Sequence, residues 1–92
     1  MDTIKLLDSL EVGMPLVITT KYLGVPAMRE ACLYAGKDKN GRYNFFDDSG
    51  ITGIFAYSTK FIQDNVIIET EINHVDDMLE IADLCEKIKG RE

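Results

Sequence analysis

Five short apolar runs, separated by turn signals and one helical turn, follow one another between Pro15 and Ile72, and this spacing constrains the chain to a small, mainly β domain. "PLVITTKYL", Pro15 to Leu23, is β-branched and aromatic and is expected to end as a strand at "GVP". "MREACLYAGK", Met28 to Lys37, alternates Ala31, Leu33 and Ala35 with Glu30, Cys32 and Tyr34. "RYNFFD", Arg42 to Asp47, and "ITGIFAYS", Ile51 to Ser58, supply the third and fourth strands, with a turn at Asp48-Ser49-Gly50. "TKFIQDN" breaks the alternation as a single helical turn, and "VIIETEI", Val66 to Ile72, resumes it with Val66, Ile68, Thr70 and Ile72 on one side.

Strands in this order, with one helical turn before the last, have the layout of a small five-stranded SH3-like barrel, and that is the expected fold of residues 14–72. The likeness is one of layout alone. "CLYAG" echoes the "ALYDY" run of the eukaryotic signalling domains, but a tight hairpin follows at once and the chain has no tryptophan to line a proline-recognition groove. Two helices flank the barrel. Asp2 can cap a short one carrying Ile4, Leu6, Leu7 and Leu10 and ended by Gly13 and Pro15, within residues 1–13. The second runs from about His74 to Lys89, within residues 73–90. Asn73 stands before it, Asp76 and Asp77 occupy its first turn, Lys87 and Lys89 its last, and Gly90 its expected stop. Ninety-two residues fit this as a single α+β domain, mainly β.

The final helix is unusually apolar for one that lies on a single surface. At ~100° per residue, Val75, Met78, Leu79, Ile81, Ala82, Leu84, Cys85 and Ile88 cover an arc of roughly 220°, against the ~100° stripe that one packing surface needs. A homodimer or higher oligomer that uses Leu79, Ile81, Leu84 and Ile88 is therefore expected.

Register decides which rings face out. A two-residue turn at Asn40-Gly41 would set Ala35 opposite Phe46 and split the aromatics between faces. A type I turn begun by Asp38, with Gly41 as a left-handed bulge, sets Lys37 opposite Tyr43, Ala35 opposite Phe45 and Tyr34 opposite Phe46. Asp at the first position and Gly at the fourth favour the second register. It gathers Leu33, Ala35, Tyr43 and Phe45 inside with Ile54 and Ala56, and turns Tyr34, Phe46, Phe55 and Tyr57 outward as a shared aromatic face. Lys37, Lys39 and Arg42 stand at the neighbouring hairpin tip. The terminal helices are expected to pack over the aromatic face as a second small core, or else these seven residues form the binding surface.

Catalytic signatures are missing from the sequence. His74 is the one histidine, Cys32 and Cys85 lack a C-x-x-C spacing, and no G-x-S-x-G, phosphate loop or H-E-x-x-H occurs. "DKNGRYNFFDDSG" misplaces the glycine of a calcium loop. The chain is expected to be neither an enzyme nor a cofactor or metal protein. Net charge is −6, and the segment from Glu69 to Glu92 carries −5 of it, with eight acids against three bases. That balance disfavours nucleic acid, although Tyr34 and Phe46 with the three hairpin bases could in principle hold a single strand. No apolar run approaches the roughly 20 residues of a membrane span, and a soluble cytoplasmic protein is expected. The favoured reading is a non-catalytic protein-binding or regulatory module of bacterial or phage type, acting through the aromatic face or the acidic helix. The alternatives are an oligomer enclosing a small ligand and a small-barrel single-strand binder.

Overall fold

The computed structural model describes residues 2–47 and 54–91, with side chains as far as Lys87. In order the elements are α1 (Thr3–Asp8), β1 (Pro15–Tyr22), β2 (Val25–Lys37), β3 (Tyr43–Phe46), β4 (Ile54–Tyr57), α2 (Thr59–Asn65), β5 (Val66–Glu69) and α3 (Val75–Arg91). The strands form one antiparallel sheet in the order β4-β3-β2-β1-β5. β1 to β4 follow one another as neighbours and β5 crosses back to pair beside β1, but the sheet stays open and does not close into the expected barrel. The predicted single helical turn is a seven-residue helix, capped by Ser58, whose Oγ accepts from Phe61 N at 3.2 Å. A helix of that length spans roughly 10 Å and links the edge strands β4 and β5.

Helices cover both faces. On the front, α1 and α2 pack over Leu16, Ile18, Cys32, Tyr34, Tyr43, Phe45, Val66 and Ile68, adding Leu7 and Ile62 to the core. Asp2 caps α1 through Ile4 N at 3.2 Å, and the Tyr43 hydroxyl donates to Asp8 Oδ1 at 2.7 Å, tying α1 to the third strand. Burial, and then that hydrogen bond, push Tyr43 up to about 12. On the back, α3 lies against β2, over the face where alternation puts Val17, Ala31 and Leu33. Leu84 is buried there, and Arg29 on β2 grips Asp77 in the first turn of α3 through two hydrogen bonds of 2.9 and 2.7 Å. A bidentate pair of this kind fixes angle as well as distance.

Two β-bulges separate the expected pairing from the observed one. The Asp38 turn forms as predicted: Gly41 N donates to Asp38 O at 3.0 Å, Asp38 N to Arg42 O at 2.9 Å, and Gly41 has φ +80°. Lys37 opposes Tyr43 and Gly36 opposes Asn44, as that turn dictates. The ladder then slips by one at Ala35, beside Gly36 at φ +95°, so that Tyr34 opposes Phe45 and Leu33 opposes Phe46. An unpaired residue reverses the facing of every side chain beyond it. Tyr34 thus turns into the front core, and Leu33 lies on the back.

The second bulge falls at Ala27. Thr20 pairs with Met28 but Lys21 with Pro26, which puts the proline where a missing N–H costs no ladder bond. "GVP" therefore does not break the sheet. Leu23 and Gly24, at φ +52° and +80°, make a two-residue turn between Tyr22 and Val25, and the second strand starts three residues before the expected Met28.

Other boundaries moved less. The fifth strand ends at Glu69, paired with Val17, rather than at Ile72. The final helix starts at Val75 and continues through Gly90, so that glycine is not its stop. The predicted turn Asp48-Ser49-Gly50 and the start of the fourth strand, residues 51–53, lie outside the described residues.

Candidate binding surface

The four aromatics expected to share an outer face do not share one. Tyr34 is only 5% exposed, and Phe55 and Tyr57 are half-buried against the front core. The cause is again register: Phe55 opposes Phe45 and Tyr57 opposes Tyr43, so both rings follow the core side, and Ile54 and Ala56 take the alternate positions predicted to be inward. Ring centroids of Phe45 and Phe55 are 5.2 Å apart, Phe55 and Tyr57 5.1 Å, and Tyr57 and Phe61 4.7 Å, a continuous aromatic row running to α2. Phe46 alone of the four is on the back, half-buried.

The hairpin bases are spread out. Lys37 Nζ sits 5.1 Å over the Tyr43 ring, Arg42 Nε is 3.4 Å from Asp38 Oδ2, and Lys39 is exposed. The Asp38 carboxylate also accepts from Arg42 N and Asn40 N, and these donors, Arg42 N foremost, hold it below the usual carboxylate range. Of the expected oligomer residues, Leu79 is exposed, Ile81 half-buried and Leu84 buried against the chain's own sheet; the side chain of Ile88 lies outside the described residues.

Reactive groups are dispersed as well. Cys32 is fully buried, and burial with the nearby Glu30 pushes its thiol far above the ordinary range, which keeps it protonated. Cys85 is exposed on α3, three turns or roughly 16 Å along the axis from His74. Among the described residues no three His, Cys, Asp or Glu side chains gather as metal ligands, and no helix is long and apolar enough to cross a membrane.

Glu30 and Asp47 meet on the front at the edge of the core and share a hydrogen bond. Burial first, then the Asp47 charge and that bond, push the Glu30 carboxyl up. A raised carboxyl favours the protonated fold, so its stabilisation is full below the unfolded-state value near 4.3 and is lost as pH rises through the raised one. Glu30→Gln is therefore expected to raise Tm at pH 7 and to leave it nearly unchanged at pH 4. Equal shifts at both pH values would show that Glu30 is not held protonated by its surroundings.

One cluster of exposed apolar residues is not singled out by the sequence pattern. The β1–β2 ribbon carries Tyr22 at 71% exposure, Leu23 at 86%, Val25 at 63% and Met28 at 58%. Beneath it Thr20, Lys21, Tyr22, Leu23, Ala27 and Met28 face Phe61 and Asn65 of α2 across an apolar cleft of about 480 Å³. The Ala27 bulge re-aims the ribbon, and the aromatic row ending at Phe61 supplies the floor. Thr20 and Tyr57 share a hydrogen bond just behind it. Leu23 is the one non-glycine residue with positive φ among the described residues, in a position where Asn or Gly would sit without strain. The sequence signal was there: "YLGVP" places large apolar residues on both sides of a turn glycine, where hairpins ordinarily put polar ones.

No family model matches the chain, and neither does any curated protein or solved structure.

Proposed function

We propose that the chain is a non-catalytic module that binds a partner protein through the tip of the β1–β2 ribbon and the cleft it forms with α2. The observation that carries this reading is Leu23, held at φ +52° with its side chain 86% exposed at the head of a ribbon of apolar neighbours. An L-residue in this region costs roughly 1–2 kcal/mol. Solvent exposure offers nothing to offset that cost in the free chain. Docking does: each of Tyr22, Leu23, Val25 and Met28 would gain on the order of 1.5–3 kcal/mol if fully buried by a partner. A partner segment presenting one apolar side chain fits the cleft, with Leu23, Met28 and Phe61 as walls and Lys21 and Asn65 at its polar margin.

The architecture supports a binding role in a second way. We read the five strands, with a helix before the last, as an SH3-like small barrel left open, in which α1 and α2 fill the mouth and the ribbon projects past it.

The experiment is site-specific photocrosslinking in the native host. A photoreactive residue at Leu23 should capture a discrete partner, while the same residue at Lys39, on the opposite hairpin, should not. Equal capture at both positions, or none at Leu23, would remove the ribbon as the contact.

A further inference from the structure

The hairpin between β2 and β3 carries the dipeptide Asn40-Gly41, which neither the ribbon nor its cleft uses. Asparagine is one of the thermolabile side chains, because its amide carbon lies one five-membered ring away from the backbone nitrogen of the next residue. Asn40 is exposed, and Gly41, at φ +80°, has no side chain to shield that nitrogen; a Cβ there would meet open space. The chain's other asparagines are worse placed. Asn44 precedes Phe45, and its Nδ2 donates to Gly36 O, Asp38 Oδ2 and Arg42 O. Asn65 precedes buried Val66, whose N–H donates to Ile62 O, and Asn73 precedes the imidazole of His74.

The Asp38 turn restrains this chemistry. Gly41 N donates to Asp38 O at 3.0 Å, so the attacking atom is already engaged. The Asp38 carboxylate accepts from Asn40 N at 2.9 Å and Arg42 N at 3.0 Å, bracketing the dipeptide on both sides, and Arg42 Nε stands 3.4 Å from Oδ2. At the third position of a type I turn Asn40 has ψ at about 0°, whereas ring closure needs the Gly41 nitrogen rotated away from there toward the side chain. A carboxylate so close also disfavours the amide anion that attacks.

We propose that Asn40 is a site of spontaneous covalent modification, deamidation through a succinimide, with the Asp38 turn as its brake. When the turn opens, Gly41 N gives its proton to solvent and attacks Asn40 Cγ. The new C–N bond closes the ring, the Cγ–Nδ2 bond breaks, and the amide leaves as ammonia with a proton taken from solvent. Water then adds to one of the two imide carbonyls. Opening at Cγ gives aspartate, and opening at the backbone carbonyl gives isoaspartate, with the main chain running through Cβ and Cγ. Either product takes the net charge from −6 to −7 and sets an acid between Lys39 and Arg42. Isoaspartate also adds one main-chain atom between Asp38 and Gly41, so the bond that closes the turn is lost.

Ageing of the full chain in mildly alkaline buffer tests it, read by anion exchange and by peptide fragmentation that locates the change. The wild type should accumulate a more acidic form altered at residue 40, and Asn40→Gln should not. Asp38→Ala should convert roughly tenfold faster, the factor expected from losing the two amide-to-carboxylate hydrogen bonds that keep the turn shut. Asp38→Ser, which keeps a turn-favouring acceptor, should fall between the two. Wild type unfolded in urea should also convert faster than the folded chain, a comparison that needs no variant to fold. An acidic form altered elsewhere but not at residue 40, or none after prolonged ageing, overturns the site. A rate that Asp38→Ala leaves unchanged, or an unfolded chain no faster than the folded one, overturns the brake.

Discussion

Phe45→Ala is expected to cost about 3–5 kcal/mol, the largest loss of any single ring removed from this chain. The side chain has no exposed surface and is the hub of the front core: Tyr34, Phe55 and Tyr57 have ring centroids 6.0, 5.2 and 6.2 Å from it. Its deletion leaves a cavity that three aromatics on two other strands cannot close together. Phe46→Ala, one residue along and half-buried on the back, should cost clearly less. Urea denaturation of the two variants reads the difference directly, as a fall in midpoint with little change in slope. The comparison also tests the Ala35 bulge, since Tyr34→Ala should be strongly destabilising where Tyr34 faces the core and nearly neutral where it faces solvent.

Leu84→Ala should be the second largest, at roughly 2–5 kcal/mol. Leu84 is 2% exposed and anchors α3 on β2 beside the Arg29–Asp77 pair, so its truncation weakens the cover over Val17, Ala31 and Leu33. Leu79→Ala, on the same helix but 65% exposed, should stay within about 0.5 kcal/mol at concentrations where the chain is monomeric. Thermal melts of the pair would settle which side of α3 meets the sheet. An equal loss in both would mean that the helix is docked differently. Leu84, expected at an interface between copies, is buried within the chain.

The sequence carried the elements better than the faces. The Asp38 turn was readable because its chemistry is local, an Asp that accepts from Asn40 N and Arg42 N and a glycine that supplies the positive φ. The bulge two residues upstream of Lys37 was not, because Ala35-Gly36 looks like ordinary alternation and its extra residue shows only in the pairing. That single residue moved Tyr34 from the expected outer face to the core. Phe55 and Tyr57 were misassigned for a related reason: their side follows from pairing with Phe45 and Tyr43, and the inward choice of Ile54 and Ala56 rested on residue type alone. The open sheet is equally hidden, since whether two edge strands pair is a long-range outcome that local patterns do not carry. α3 was plain because cap region, dipole and periodicity agree along one continuous segment. Its wide apolar arc was legible too, although only the structure divides it into a face on the sheet and a face left bare. The ribbon is not legible because "GVP" reads as a strand breaker, whereas Leu23-Gly24 turns the chain and the Ala27 bulge absorbs Pro26.

Leu23→Asn measures most directly whether Leu23 is kept for a partner or for the fold. Asn adopts the left-handed region more readily than Leu, and the leucine side chain it replaces is almost wholly exposed. Tm in the free chain should therefore hold or rise, with a gain of up to about 1 kcal/mol, while retention of the partner captured from position 23 should drop at least tenfold. A variant that melts lower and binds as before would contradict the account, because Leu23 would then belong to the folded core and the ribbon would have no role in recognition.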